Sequence, residues 1–320
     1  MIAVHIENGL VAIREKACPR RPAGHALIRM LCAGICNTDL ELLRGYYGFR
    51  GTPGHEFVGE VAAADTRGLL GKRVVGEINL ACGRCSWCLR GLGRHCPRRT
   101  VLGIAGRPGA FAEYIVLPEG NLHRVPDSVP DECAVFTEPL AAACEILDQV
   151  KIPKAAPVAV LGDGKLGLLV AQVLHGAGAK VHLYGRHEEK MRIARSAGIR
   201  AGIAPEDPAA RYDYAVEATG SADGLALAAR MVRPRGTIVM KSTIHGQTAL
   251  DTAGLIVNEI TLIGSRCGRF EPALRLLRAG KINVAAMISA RMPLAEAPRA
   301  FELASHGALK VLLISKKYPA

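Results

Sequence analysis

The sequence predicts an α/β protein in which a β-rich domain precedes a doubly wound parallel sheet. Three observations support this fold class. Residues 1–145 contain short β-branched segments separated by glycine and proline, as in antiparallel β domains. From residue 146 onward, apolar segments of strand length alternate with amphipathic segments of helix length. The glycine-rich sequence Gly162-Asp163-Gly164-Lys165-Leu166-Gly167 joins the first of these strands to the first of these helices.

The β-rich part contains short segments bounded by turn residues, and each of these predicts a strand. The predicted strands are Ile2–Ile6, Ala26–Cys32, Val58–Ala63, Lys72–Val75 and Tyr114–Leu117.

In the second part, the continuous apolar run Pro157–Leu161 predicts a parallel strand buried on both faces. Helices are predicted at Lys165–His175, Glu188–Ala197, Ala222–Val232, Glu271–Ala279 and Leu294–Ser305. Further strands are predicted at Lys180–Tyr184, Tyr212–Val216, Thr237–Met240, Ile260–Ile263 and Val311–Ile314.

Composition describes a compact chain with room for two hydrophobic cores. It has 320 residues, of which 49% are hydrophobic, and a mean hydropathy of +0.17. The N-terminus lacks a signal pattern, and no apolar run is long enough to span a bilayer, so no membrane partner is expected. Ten cysteines without a secretory signal indicate metal binding and free thiols, and therefore a cytoplasmic location.

The net charge of +12 raises the question of nucleic-acid binding. The basic residues are scattered, aromatic residues make up only 4% of the chain, and the densest basic cluster, Arg90–Arg99, lies within a cysteine-rich loop. We therefore expect no specific nucleic-acid partner. A cationic surface also attracts phosphorylated cofactors.

A run of four cysteines with the spacing C-x₂-C-x₂-C-x₇-C predicts a structural zinc site. These cysteines are Cys82, Cys85, Cys88 and Cys96. Four thiolates on one tight loop complete a tetrahedral zinc sphere and leave no position for substrate. The spacing is too cramped for two unstrained disulfides.

The glycine-rich sequence predicts a dinucleotide site. Gly162, Gly164 and Gly167 permit the turn, the approach of a pyrophosphate and close helix–strand packing. Lys165 and Leu166 open the helix whose N-terminus attracts the anion.

The end of the next strand indicates which dinucleotide is bound. Binders of NAD usually place an acidic residue there for the ribose 2′-hydroxyl, but this chain has Gly185 followed by Arg186. Arg186, assisted by Lys190, suits a 2′-phosphate, so NADP is expected to be preferred over NAD. Thr219 and Lys241 follow later strands and are expected near the nicotinamide ribose.

Two upstream motifs complete a family signature, namely Gly34-Ile35-Cys36-Asn37-Thr38-Asp39 and Gly54-His55-Glu56. Over essentially its whole length the chain resembles the zinc-containing medium-chain alcohol and polyol dehydrogenases, in particular the threonine, sorbitol and glucose dehydrogenase branch. The resemblance implies a GroES-like catalytic domain from residues 1–145 and 266–320, with a structural zinc lobe at about 80–100. It implies a Rossmann cofactor domain from residues 146–265.

The resemblance also implies a second, catalytic zinc with Cys36 and His55 as ligands. The third ligand is expected to be Glu138 of Thr137-Glu138-Pro139-Leu140, as in the sugar and polyol branch, with Cys144 and Cys133 as alternatives. Glu56 would be a neighbouring or exchanging ligand. The fourth position stays open for water or a substrate oxygen.

Thr38 matches the family residue that accepts the hydroxyl proton. Two departures from the liver-type pattern concern the outer proton relay: Asn37 replaces a glycine, and Glu41 stands where a histidine is usual. Glutamate at both 41 and 138 is shared with glucose dehydrogenases, which favours polyhydroxylated substrates.

The expected function is hydride transfer between NADP and a secondary alcohol, polyol or sugar. The alternatives are a non-catalytic nucleotide-sensing or interaction protein on the same scaffold and a nucleic-acid binder built on the zinc loop. The resemblance implies a homodimer or homotetramer, with Ile260–Ile263 as the pairing edge strand.

Overall fold

The computed structural model describes residues 1–243 and 250–315, and these form two compact units. The first unit comprises Met1–Glu138, Leu277–Ala279 and the chain from Ile288 onward, and the second comprises Pro139–Leu276 and Gly280–Met287. The sequence placed the divisions at 145 and 266, whereas a helix runs across the first of these positions. Segments 244–249 and 316–320 of the predicted domains lie outside the described residues.

The first unit is built on β-sheets. Its strands up to residue 138 are β1 (Ile2–Glu7), β2 (Leu10–Glu15), β3 (His25–Gly34), β4 (Glu56–Ala63), β5 (Arg73–Gly76), β6 (Asn79–Leu80), β7 (Thr100–Leu102), β8 (Gly106–Arg107), β9 (Tyr114–Pro118) and β10 (Leu122–Arg124). Its helices there are α1 (Asn37–Leu43), α2 (Ser86–Leu89) and α3 (Asp131–Ala134).

The second unit alternates strands and helices. Its strands are β11 (Pro157–Leu161), β12 (Lys180–Tyr184), β13 (Arg200–Gly202), β14 (Tyr212–Glu217), β15 (Val232–Met240) and β16 (Thr261–Gly264). The helices from this part of the chain are α4 (Thr137–Gln149), α5 (Lys165–Gly176), α6 (Glu188–Ser196), α7 (Gly224–Met231), α8 (Thr252–Val257) and α9 (Phe270–Arg278). The chain then returns to the first unit through β17 (Ile288–Pro293), α10 (Ala297–Ser305) and β18 (Lys310–Ile314).

The main sheet of the first unit brings distant parts of the sequence together. Its strand order is β10-β5-β4-β3-β18-β17, with β9 also paired to β3. Gly34, at the end of β3, lies opposite Glu56 at the start of β4 and opposite Leu312 of β18. The end of β3, the start of β4 and the start of β18 therefore meet at one edge of the sheet.

The sheet of the second unit is parallel, with strand order β13-β12-β11-β14-β15-β16 in the described part of the chain. Valine, leucine and alanine of the central strand β11 are buried, as a strand covered on both faces requires. The glycine-rich sequence follows β11 and opens α5, so the predicted strand–loop–helix context is confirmed.

The predicted strands of both units are present, with ends shifted by a few residues. Strand β15 begins at Val232 rather than at the predicted Thr237, because it continues through Pro234 and Gly236, residues that indicate a turn. None of the helices in the described part of the chain is both long and apolar enough to cross a membrane.

Candidate active site and metal centres

The four-cysteine loop of the first unit brings its thiols together as a structural zinc site requires. The Sγ atoms of Cys85 and Cys88 are 3.4 Å apart, those of Cys85 and Cys96 are 3.7 Å apart, and those of Cys82 and Cys88 are 3.9 Å apart. Tetrahedral coordination with zinc–sulfur bonds of about 2.3 Å separates the sulfurs by about 3.8 Å, so the loop fits this metal.

Thiol acidity within the loop is uneven. Backbone hydrogen bonds, chiefly from Arg84, lower the pKa of Cys82 to about 6. Desolvation and the neighbouring thiols raise the pKa of Cys88 to about 11. A bound metal deprotonates its thiol ligands outright, so zinc would supply the positive charge that four adjacent thiolates need.

A second cluster consists of Cys36, His55 and Glu56. One ligand atom from each lies within 4.8 Å of the others. Cys36 comes two residues after β3, and His55 directly precedes β4, so the register of these two strands creates the cluster. His55 and Glu56 are buried, whereas Cys36 is half-buried.

Within the described part of the chain, two buried atoms of this cluster have no hydrogen-bond partner: Nδ1 of His55 and Oε1 of Glu56. Buried polar atoms normally have a partner, and a thiol, an imidazole and a carboxylate are zinc ligands. The donor set and the unpartnered Oε1 of Glu56 therefore fit a zinc ion.

Asp39 supports the cluster through hydrogen bonds to the backbone on either side of it. It is fully buried, and its carboxylate accepts the backbone N–H groups of Cys36 at 2.8 Å and Gly54 at 3.1 Å. Its Oδ1 lies 3.4 Å from Nδ1 of His55. Burial alone would lower the pKa of His55, but Asp39 and Cys36 raise it well above its ordinary value. Asp39 thus fixes the backbone on both sides of the cluster and holds a charge against His55.

Lys310 places a second buried charge beside the cluster. Its ammonium, at the start of β18, donates to Oε2 of Glu56, and both side chains are at most 1% exposed. The ammonium also lies 5.4 Å from the ring centre of Phe136. Burial alone would lower the pKa of Lys310, but the charges of Glu56 and Cys36 raise it above its ordinary value. Lys310 and Glu56 thus form a buried salt bridge.

Gly34 leaves room for this pair. A Cβ at residue 34 would lie 3.0 Å from Oε2 of Glu56, 3.0 Å from Cδ of Lys310 and 2.8 Å from Val135. A side chain at this strand position would therefore require Val135, Glu56 and Lys310 to shift.

The cluster, defined by mutual distances of at most 4.8 Å, does not include the predicted third ligand. Glu138 lies in the first turn of α4, half-buried, and it is not among the described residues whose ligand atoms gather around Cys36. The alternatives Cys133 and Cys144 also lie outside this group, and burial raises the pKa of both thiols, that of Cys144 to about 11. Glu56 is the third member of the cluster, beside Cys36 and His55.

The proposed proton acceptor is close to the cluster. Oγ1 of Thr38, in the first turn of α1, lies 3.9 Å from Sγ of Cys36. Glu41, one turn further on, forms an ion pair of 2.6 Å with Arg44.

The second unit contains a pocket of about 570 Å³ at the carboxyl edge of its sheet. Its lining includes Gly162, Gly164, Gly185, Arg186, Lys190 and Thr219. This volume is within the range of about 300–1,000 Å³ that is usual for small-molecule pockets. The pocket therefore unites most residues that were predicted to bind the dinucleotide.

The cationic side chains of Arg186 and Lys190 make no hydrogen bond or ion pair with other described residues. Arg230 lines the same pocket, and so do the carboxylates of Glu206 and Asp223. The loop after β12 and the first turn of α6 thus each present one cation that is available to a ligand.

Later loops are held by buried side chains. Oε1 of Glu217 accepts the backbone N–H and the hydroxyl of Thr219 at 2.8 and 2.6 Å, and the hydroxyl of Ser242 at 3.0 Å. Nζ of Lys241 donates to Ala142 O, Ser265 Oγ and Arg266 O. Lys241, predicted to bind the cofactor, is buried and hydrogen-bonded within the unit.

Sequence reasoning missed Asp39, Lys310 and the role of Glu217. Of these residues, only Asp39 had a local signal. It is the third residue of α1, and its side chain accepts the backbone N–H of the N-cap residue Cys36, as in a capping box. Lys310 had no local signal because its partner is far away in the sequence.

Comparisons with known proteins identify the family of the chain. Residues 22–127 match the alcohol dehydrogenase GroES-like domain, and residues 166–279 match the zinc-binding dehydrogenase family. The chain is 30% identical to D-altritol 5-dehydrogenase of Agrobacterium fabrum, over 91% of this chain and 92% of that protein.

Solved structures with the same fold include complexes with either nicotinamide cofactor. A zinc-binding dehydrogenase from Sinorhizobium meliloti 1021 bound to NADP is 30% identical, with a TM-score of 0.90 and 98% of each chain covered. An alcohol dehydrogenase from E. coli CFT073 in complex with NADH is 25% identical, with a TM-score of 0.90 and coverage of 98% and 99%. These matches show that the chain belongs to the zinc-containing medium-chain alcohol and polyol dehydrogenase family.

Proposed function

We propose that this enzyme is a zinc-dependent, NADP-preferring dehydrogenase that oxidises a secondary alcohol, polyol or sugar, or reduces the corresponding ketone. The observation that carries the proposal is the clustering of Cys36, His55 and Glu56, with Thr38 beside them. The non-catalytic alternative does not require this set, and a degenerate member of the family need not keep it.

Two zinc ions per chain are proposed. Cys82, Cys85, Cys88 and Cys96 would hold one with a structural role, because their four sulfurs complete its coordination. Cys36 and His55 would hold the other together with a glutamate. At this second site zinc would act as a Lewis acid that favours loss of the substrate's hydroxyl proton.

The chain's own residues then position the substrate and move the proton. Thr38 is placed to accept the substrate's hydroxyl proton while its own proton passes on towards solvent, and Asp39 keeps His55 oriented. Lys310 neutralises Glu56, so the net charge around the reacting oxygen stays low. A nicotinamide cofactor bound in the pocket of the second unit would supply the hydride acceptor.

For the third metal ligand we retain Glu138 as the proposal. Glu56 is bound ionically to Lys310, which favours a neighbouring or exchanging role for its carboxylate. Glu138→Gln is expected to lower kcat by about 10³-fold or more and to reduce catalytic-site zinc, because metal catalysis supplies several kcal/mol. If Glu56→Gln has that effect and Glu138→Gln does not, Glu56 is the third ligand.

The preference for NADP is supported by the unpaired cations Arg186 and Lys190 and by the absence of an acidic residue at position 185. The NADP-bound relative is consistent with this choice, while the NADH-bound one shows that the fold accepts both. Arg186→Ala is expected to raise KM for NADP by about 10- to 100-fold, the value of one or two charge-assisted hydrogen bonds, and to change KM for NAD little.

A polyol is the proposed substrate class, because the relative named D-altritol 5-dehydrogenase covers nearly the whole chain. The decisive experiment is a spectrophotometric screen of polyols, sugars and simple alcohols with NADP and NAD, combined with a metal count. Turnover of a polyol with NADP and two zinc ions per chain is expected. No turnover with any alcohol, despite full zinc content, would favour the non-catalytic alternative.

We also propose a cytoplasmic homodimer or homotetramer. Strand β16 is the last strand of the parallel sheet and its side chains are half-buried or exposed, as a strand that pairs with a second copy would be. Gel filtration with light scattering gives the stoichiometry.

A further inference from the structure

Asp163 is the unusual residue of the glycine-rich loop, and its carboxylate points towards the loop at the end of β12. The residue is 7% exposed. Its Oδ2 accepts the backbone N–H groups of Arg186 and His187, both at 2.7 Å. One buried oxygen thus fixes the two residues that follow Gly185.

The remaining contacts of Asp163 tighten this arrangement. Nδ1 of His187 lies 3.1 Å from each carboxylate oxygen. Burial alone would raise the pKa of Asp163, but the hydrogen bonds from His187 and Arg186 hold it below its ordinary value. The carboxylate is therefore ionised and its acceptor positions face the loop.

Asp163 also decides which residue fits at position 185. A Cβ at residue 185 would lie 2.4 Å from Oδ2, 2.5 Å from Cβ and 2.6 Å from Cγ of Asp163. Separations below about 3 Å between such non-bonded atoms are repulsive, since carbon contacts are optimal near 3.5–4.0 Å. Asp163 cannot easily move away, because it would leave two backbone N–H groups without an acceptor.

We propose that Asp163 is a positioning residue for cofactor specificity, which excludes every side chain from position 185 and holds Arg186 at the mouth of the pocket. The inference rests on the proposed preference for NADP and explains how the chain maintains it. A carboxylate at position 185, the feature that holds the ribose 2′-hydroxyl of NAD, is incompatible with Asp163 both sterically and electrostatically.

The experiment is a double-mutant cycle on the zinc-loaded enzyme, with the variants Gly185→Asp, Asp163→Ala and the combination of both. The dissociation constants of NADPH and NADH are measured by fluorescence titration without an alcohol, so that the readout does not depend on turnover. Asp163→Asn is the matched control for folding, because it keeps the shape of the side chain. Circular dichroism and zinc content verify that each variant folds.

Gly185→Asp alone is expected to weaken binding of both cofactors, because its carboxylate meets that of Asp163. Asp163→Ala is expected to weaken NADPH binding about tenfold, as the loss of loop hydrogen bonds predicts, and to affect NADH less. In the double variant NADH binding is expected to recover at least tenfold over Gly185→Asp. This recovery is a coupling that a purely structural role of Asp163 would not produce.

Two results would overturn the inference: tight NADH binding by Gly185→Asp alone, or additive effects of the two substitutions on the NADH dissociation constant. The proposed preference for NADP is tested separately, by comparing the dissociation constants of NADPH and NADH for the wild-type enzyme. If the wild type binds NADH as tightly as NADPH, the proposed cofactor is wrong, whereas the coupling between positions 163 and 185 is still measured by the cycle.

Discussion

The two metal clusters of the first unit are built in opposite ways. The four-cysteine cluster takes all its ligands from residues 82–96, and three of the four cysteines are only half-buried. The Cys36 cluster takes its residues from near the ends of two strands, and His55 and Glu56 are 3% and 1% exposed. One is a local loop, and the other is a product of sheet register.

The charges around the clusters differ in the same way. Four thiolates complete the coordination of a structural zinc within one segment. The Cys36 cluster offers fewer ligands, and buried charges surround it: Asp39 beside His55, and Lys310 on Glu56. A site that keeps a position open for substrate depends on partners that hold its ligands in place. We therefore expect the four-cysteine cluster to contribute to stability and the Cys36 cluster to catalysis.

The largest expected effect comes from removing one ligand at each site. Cys36→Ala is expected to remove one zinc ion and to lower kcat/KM by about 10³-fold or more, since a Lewis-acid metal is worth several kcal/mol. Cys88→Ala is expected to remove the other zinc ion and to lower the melting temperature, because structural zinc contributes folding energy. Metal analysis, steady-state kinetics and thermal unfolding measure all three quantities.

Cys18→Ala is the matched control, because Cys18 is exposed and belongs to neither cluster. It is expected to keep both zinc ions and full activity. Equal loss of activity in Cys36→Ala and Cys88→Ala, with similar melting temperatures, would remove the distinction between the two sites.

The next effect concerns the buried pair of Lys310 and Glu56. Lys310→Met leaves a buried carboxylate without its partner, which costs about 3–5 kcal/mol in the free energy of unfolding. Adding Glu56→Gln removes the stranded charge, so the double variant is expected to recover much of that stability. Denaturant unfolding of the four proteins of the cycle gives the coupling directly.

Arg14→Met serves as a control, because Arg14 pairs with Glu7 at the surface, where ion pairs contribute about 0–1 kcal/mol. Strictly additive effects of the two substitutions in the buried pair would show that the charges are not coupled. The four-cysteine site is expected to retain its zinc in every variant of this cycle.

Local patterns predicted one cluster better than the other. The spacing of four cysteines predicted which thiols come together in the local loop, because the chain between them is short. Cys36 and His55 required the family resemblance, because β3 and β4 bring them together only through pairing. Lys310 was not predicted, since its contact with Glu56 spans 254 residues and depends on β18 lying beside β3.

Secondary structure shows the same limit. Helix α4 was missed because Pro139 discourages a helical interpretation, although proline is tolerated in the first turn, where it stands. Asp163 was read only as a variable position of the glycine-rich sequence. Its contacts with Arg186 and His187 join two loops that the parallel pairing of β11 and β12 places side by side.

The smallest of these effects is expected from Asp39, which accepts backbone N–H groups from both segments of the Cys36 cluster, those of Cys36 and Gly54. Asp39→Asn keeps the size of the side chain but removes the charge that lies 3.4 Å from Nδ1 of His55. Residues that support a metal ligand in this way are worth about 10- to 100-fold in metal affinity. Zinc affinity of the Cys36 site, measured by chelator competition, is expected to fall by that factor, while the four-cysteine site serves as an internal reference.

Asp65→Asn, which removes a surface partner of Arg21, is the external control. Equal weakening of both sites would mean that Asp39 stabilises the unit as a whole. An unchanged zinc affinity would mean that the register of β3 and β4 alone positions His55. The Cys36 cluster would then depend on its neighbouring residues no more than the four-cysteine cluster does.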